Sequence, residues 1–166
     1  MFNLRRLVHL RKPTHQLDEQ RSTRTPFSVE PVRLVAITDD AENSGLLQRI
    51  ADAYRWRISV VASSEAALTV LKEQPTPLVI CDRDLAGEDW HDVLAKIAAL
   101  PQAVCVLLAS RVVDDYIWRQ VIRHHGYDLV SKPFQSEELR RAVTFAWSWR
   151  GWAHRHYAEV LGKPTA

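Results

Sequence analysis

The 166 residues, 46% of them apolar, are enough for one domain with a buried core and are ordinary in composition for a globular protein. No apolar run approaches the ~18 residues a membrane-spanning helix needs, and the start, MFNLRRLVHLRK, lacks the uninterrupted apolar stretch of a secretory leader, so a cytoplasmic location is expected. The net charge of +2 divides into +3 over residues 1–30, −5 over 31–138 and +4 over 139–166, so the basic pI reflects two charged ends rather than a core that reads nucleic acid.

Residues 1–30 are rich in Arg, Thr, Ser, Gln and Pro and show no lasting periodicity. A basic arm is expected there, with a short amphipathic turn through Leu4, Leu7, Val8 and Leu10. From Pro31 the pattern changes. Arg33–Thr38 (RLVAIT) reads as a strand that stops at Asp39-Asp40, and Leu46, Leu47, Ile50 and Ala53 give helical spacing over 41–54. A second strand over 58–62 precedes a helix over 64–73, with Ser64 as its expected cap. Pro75 and Pro77 stop that helix and open the strongest strand, Leu78–Cys81. A helix over 89–100, a strand over 103–108, a helix over 112–124, a short strand over 127–130 and a helix opening near Ser136 complete the series. Cys81 and Cys105 both fall in strand-like runs and read as buried free thiols.

Five apolar strands alternating with five helices describe a parallel sheet covered on both faces, and right-handed crossovers make it an open doubly wound α/β sheet. The carboxyl ends of its strands share one edge, where ligands and chemistry gather. Asp39 and Asp40 stand there after the first strand, Asp82 and Asp84 after the third, Ser110 after the fourth and Lys132 after the fifth. Each residue alone is an ordinary turn, cap or surface residue. Together they form a pattern with chemical content. Clustered carboxylates repel unless a hard cation with oxygen ligands is present, which suits Mg²⁺. Asp82, at the end of the most apolar strand, is then a candidate nucleophile, with Lys132 as a charge partner and Ser110 as a hydroxyl donor for a transferring phosphoryl group.

At this point residues 32–150 resemble the receiver domains of two-component response regulators. Asp39-Asp40 is similar to the family's acidic pair, LVICDRDLAGEDW (78–90) to its acceptor segment, and Ser131-Lys132-Pro133-Phe134 to its Lys-Pro-Phe motif. The resemblance implies a flavodoxin-like sheet of strand order 2-1-3-4-5 and a cis Lys132-Pro133 bond. It implies Asp82 as phospho-acceptor, assisted by Ser110 and Lys132. It also implies Mg²⁺, with Mn²⁺ as a substitute, held by Asp39, Asp40, Asp82 and the backbone carbonyl of Asp84. The expected partners are a sensor histidine kinase or histidine phosphotransfer protein and a downstream protein, with homodimerisation as a further expectation. The chain would then promote its own phosphorylation and dephosphorylation without being a conventional enzyme.

Four departures bear on function. Ala86 replaces a common Pro, which predicts a looser loop. Trp90 replaces a Gly, which predicts either backbone strain or an aromatic cover over the site. Gly126 is displaced by one position before the bulky Tyr127. Leu129 replaces the Tyr or Phe whose rotation accompanies phosphorylation. Arg83 has two open readings, at the entrance of the site or as solvated surface. Beyond a domain over 31–150, residues 151–166 read as a helix extension and tail, too short for a separate output domain, which points to a stand-alone receiver. Trp147, Trp149 and Trp152 exceed what one small sheet can bury. Trp118, Leu129 and Trp149 are therefore the switch and interface candidates. The alternative is a receiver-like scaffold or dimerisation module that works without phosphorylation.

Overall fold

The strand Leu78–Asp82 has every residue buried, as expected of a central strand with helices on both sides. The computed structural model describes residues 30–74 and 76–160, the last eleven as helical backbone only. Its elements are β1 (Arg33–Ile37), α1 (Ala41–Tyr54), β2 (Arg57–Val61), α2 (Ser64–Glu73), β3 (Leu78–Asp82), α3 (Trp90–Ala98), β4 (Cys105–Ser110), α4 (Asp115–Arg123), β5 (Asp128–Ser131) and α5 (Ser136–Val160). All strand pairs are parallel and the order is β2-β1-β3-β4-β5. The arm expected over residues 1–30 lies outside the described residues apart from Glu30, as does the tail beyond Val160.

Alternation along the inner strands sends side chains to two cores. Val35, Ile37, Val79, Cys81, Val106 and Leu108 meet residues of α2, α3 and α4 on one face. Leu34, Ala36, Leu78, Ile80, Leu107 and Ala109 meet α1 and α5 on the other. Dual burial explains why these strands read as continuous apolar runs.

Four helix starts show why the elements begin where they do. Asp40 caps α1, Ser63 caps α2, Asp89 caps α3 and Asp114 caps α4, each accepting hydrogen bonds from backbone N–H groups of the first turn. The cap of α2 is thus Ser63 and not Ser64, whose hydroxyl and N–H are both taken by Glu88. The helix expected from Val112 begins instead at Asp115, because the Val112 N–H is held by the Ser110 hydroxyl. The strand expected from Ala103 begins at Cys105, which pairs with Leu78, the first residue of β3. α5 runs for 25 residues, about 37 Å at ~1.5 Å per residue.

Candidate functional site

β3 delivers Asp82 to the carboxyl edge at 3% exposure. Its carboxylate is met by four donors, two on each oxygen. Lys132 Nζ donates to Oδ1 at 2.5 Å and the Asp84 backbone N–H to the same oxygen at 3.0 Å. Thr38 Oγ1 and Asn43 Nδ2 donate to Oδ2 at 3.1 and 3.3 Å. Lys132 also reaches Asp84 Oδ2 at 3.3 Å. The Lys132 and Asp82 side chains are only 3% and 4% exposed, whereas that of Asp84 is 57% exposed. A buried ion pair is tolerable only with such complete satisfaction of its lone pairs. The Lys132-Pro133 peptide bond is cis, as the motif implies.

Asp39 and Asp40 do not join Asp82 in a compact carboxylate cluster. Among the described residues no group of three acidic, His or Cys side chains is arranged to hold a metal. The physical reason is that each has another partner. Asp39 Oδ2 accepts the Ala86 N–H at 2.9 Å, and Asp40 Oδ1 accepts those of Glu42 and Asn43 at 2.8 and 3.1 Å. The Asn43 N–H foremost, with that of Glu42 and the charges of Lys132 and Arg111, holds the Asp40 carboxyl below the usual range against a smaller desolvation effect. Among the described residues no hydrogen bond reaches Asp39 Oδ1 or Asp40 Oδ2. Carboxylate and carbonyl oxygens of this kind are the hard donors that Mg²⁺ prefers.

Arg83 is partly buried beside Ser110. Its N–H is fixed to the Ala109 carbonyl of β4 at 2.9 Å, and Nη1 donates to Ser110 Oγ at 3.4 Å. The same oxygen accepts the Val112 N–H at 3.1 Å, and Ser110 is fully buried. A cleft of about 260 Å³ lined by Asp40, Glu42, Asn43, Leu46, Arg111, Lys132 and Pro133 opens beside the site.

The loop between β3 and α3 is tethered at the position where a Pro would stiffen it. Ala86 keeps the N–H that Asp39 holds, an interaction a Pro could not make. Glu88 holds both the hydroxyl and N–H of Ser64, and Lys96 lies 3.7 Å from its carboxylate. The Ser64 hydroxyl is the main cause of a lowered Glu88 pKa. Gly87 takes the loop's positive φ, 75°. Trp90 is therefore an ordinary first residue of α3 without backbone strain, and its ring packs into the core. It stacks on His91 at 3.6 Å and meets His124 edge-on. His125, not Gly126, adopts a left-handed conformation after α4, with φ 66°. Gly126 has a different reason to be Gly: a Cβ there would lie 2.4 Å from Val121 Cγ1. Cys81 packs in the core against α2, α3 and α4, and burial pushes its thiol up to about 12, so it is a core residue and not a nucleophile.

The three switch and interface candidates fall in two places. Trp118 Nε1 donates to Asp128 Oδ1 at 3.3 Å, and the same oxygen accepts the Leu129 N–H at 2.9 Å. Leu129 packs partly buried against the core. Trp149 lies elsewhere, 45% exposed on α5 with its ring 6.3 Å from that of Tyr127. Thr38 and Asn43 escaped sequence reasoning: one reads as the last residue of an apolar strand, the other as a polar helix residue. The signal that points to them is a donor side chain at a strand end or in a first helical turn facing Asp82.

The sequence profile named response regulator receiver domain matches residues 34–144. This chain belongs to the response regulator receiver family. Over 125 residues, 75% of its length, it is 23% identical to the transcriptional regulatory protein ZraR of Escherichia coli, spanning 27% of that protein. Among solved structures, the chemotaxis response regulator CheY4 of Vibrio cholerae is similar, with a TM-score of 0.65 at 12% identity, covering 70% of this chain and 98% of CheY4. The receiver domain of Ssk1 of Saccharomyces cerevisiae, solved with the histidine phosphotransfer protein Ypd1, has a TM-score of 0.62 at 15% identity and covers 69% of this chain and 87% of its own. The receiver fold and a place in two-component signalling follow from this membership.

Proposed function

We propose that Asp82 accepts a phosphoryl group and that its modification controls contact with a downstream protein. The observation that carries this reading is the buried, fully hydrogen-bonded pair of Asp82 and Lys132 at the carboxyl edge of the sheet. The donor is a phosphohistidine on a sensor kinase or a histidine phosphotransfer protein, a partner class that Ypd1 represents for Ssk1. One carboxylate oxygen of Asp82 attacks phosphorus, an O–P bond forms, and the donor's N–P bond breaks with its electron pair returning to the imidazole. Lys132 stays close enough to pair with a phosphoryl oxygen, and Ser110 lies on the neighbouring strand as a hydroxyl donor. Mg²⁺ or Mn²⁺, held by Asp39, Asp40, Asp82 and the Asp84 carbonyl, supplies neutralisation of the remaining phosphoryl charge. These steps suit a cytoplasmic protein.

The resting site also supports a second reading, a scaffold that functions without phosphorylation. Asp82 is already satisfied by four donors, and Val112, Val113, Tyr116, Trp118 and Ile122 expose apolar surface on and before α4. One experiment separates the two. Wild-type protein and Asp82→Asn are incubated with acetyl phosphate, with and without Mg²⁺, and weighed intact. A phosphoryl adduct on wild type alone, dependent on Mg²⁺, supports the acceptor. No adduct across several small donors supports the scaffold, and size measurement of the same samples reads phosphorylation-linked dimerisation.

A further inference from the structure

Ser110 is a fully buried hydroxyl, and a hydroxyl has one proton and two lone pairs. Both lone pairs are occupied. Arg83 Nη1 donates to Oγ at 3.4 Å and the Val112 N–H at 3.1 Å. No acceptor among the described residues takes the Ser110 proton. A buried O–H without an acceptor is costly at rest, and such groups cluster where an incoming ligand completes them.

Arg83 is placed for this by the sheet itself. Its backbone N–H continues the β3–β4 ladder to the Ala109 carbonyl at 2.9 Å, which sets its side chain beside the next residue, Ser110. Arg83 is partly buried and its guanidinium forms no ion pair with a described carboxylate, although Asp82 and Asp84 flank it in sequence. Its bond to Ser110 Oγ is the one side-chain hydrogen bond it makes among the described residues.

We infer that Arg83 is a positioning residue that keeps Ser110 a hydrogen-bond donor toward the phosphoryl group. A free serine hydroxyl rotates among three wells and can accept as well as donate. With both lone pairs filled by N–H donors, only donation remains, and the proton is restricted to the direction the two donors leave open. The polarity is the one an anionic phosphoryl oxygen requires, and it is set before the phosphoryl arrives, so no reorientation is needed during transfer. The inference rests on the phosphoryl-acceptor reading of Asp82 and extends it to a residue to which the resemblance gives no role.

The test measures transfer from acetyl phosphate to Asp82 by intact mass over time, at saturating Mg²⁺ and varied donor concentration. In this step the acetyl O–P bond breaks and acetate leaves with the electron pair. Arg83→Met keeps length and removes the donor, Arg83→Lys keeps a donor and charge, and Ser110→Ala removes the hydroxyl. Arg83→Met should slow transfer about tenfold, as for one charge-assisted hydrogen bond, without changing the half-saturating donor concentration. Arg83→Lys should recover most of the rate. The double variant Arg83→Met/Ser110→Ala should be no slower than Ser110→Ala alone, because Arg83 acts through Ser110. A wild-type rate in Arg83→Met overturns the role, and so does a double variant slowed by the full product of the single effects, which would make Arg83 an independent anion contact. Arg83→Ala is the second variant if methionine lowers the thermal midpoint. A wild-type protein that takes no phosphoryl group refutes the acceptor reading and the Arg83 role with it, whereas wild-type activity with an indifferent Arg83 refutes the Arg83 role alone.

Discussion

Replacing Lys132 by Met tests how the site is held together. The methionine fills nearly the same volume, so the packing change is small, and what disappears is the ammonium 2.5 Å from Asp82 Oδ1. Stripping one member from a buried ion pair costs about 3–5 kcal/mol, because the remaining charge stays desolvated. Asp82 retains the Thr38, Asn43 and Asp84 N–H donors, which places the expected loss near the lower end, ~3 kcal/mol. For a domain of this size that corresponds to a fall of about 10 °C in Tm. Urea unfolding at neutral pH, followed by circular dichroism, measures it. Adding Asp82→Asn to Lys132→Met removes the uncompensated carboxylate and should restore about 2 kcal/mol relative to Lys132→Met. Asp82→Asn alone should cost less, since Lys132 keeps the solvated Asp84 carboxylate at 3.3 Å. A loss below ~1 kcal/mol in Lys132→Met, or losses that simply add in the double variant, would refute the buried-pair argument.

Three further outcomes are expected. Glu88 has a folded-state pKa below its ordinary value of 4.5, chiefly through the Ser64 hydroxyl, so its contribution is present above that value and fades as pH falls through the lowered one. Glu88→Gln should cost about 1 kcal/mol at pH 7, with the gap from wild type closing in acid; a gap that persists in acid contradicts the linkage. Gly126→Ala forces a Cβ against Val121 Cγ1 and Leu94 Cδ2, at 2.4 and 3.1 Å, and should lower stability by about 2 kcal/mol in thermal melts. Cys81, fully buried with its thiol pushed up to about 12, should resist iodoacetamide at pH 8 in the folded protein and react in urea. Peptide mass mapping showing native carbamidomethyl-Cys81 would overturn that.

The parts of the molecule that could be read from sequence are those with local signals. Apolar runs marked β1, β3 and β4 because two-sided burial leaves no polar alternation, and a polar or charged residue at each strand's carboxyl end marked the edge. Lys132 and Asp82 stood out for that reason, although 50 residues separate them. What escaped were partners chosen by tertiary proximity between ordinary polar residues. Thr38 and Asn43 carry no motif, and Glu88 meets Ser64 across 24 residues of chain, so Ser64 looked like a cap when Ser63 was. The dispersal of Asp39 and Asp40 was equally hidden, because whether a carboxylate faces a cation or a backbone amide depends on loop path. Trp90 suggested strain only while the loop's positive φ was assigned to its position. Gly87 absorbs it three residues earlier.

The four donors around Asp82 have a kinetic consequence. If Asp82 accepts a phosphoryl group as proposed, an oxygen that already holds two hydrogen bonds is a weaker nucleophile until one of them loosens. Lys132 can move with the charge it neutralises, but Thr38 and Asn43 cannot follow in the same way, since one closes a strand and the other belongs to a capped helix. Under the acceptor reading, keeping those two bonds until the phosphoryl group arrives would slow transfer from any donor, small molecule or protein. A partner that loosens the β1–α1 junction as it docks would speed transfer beyond the rate that acetyl phosphate alone reaches.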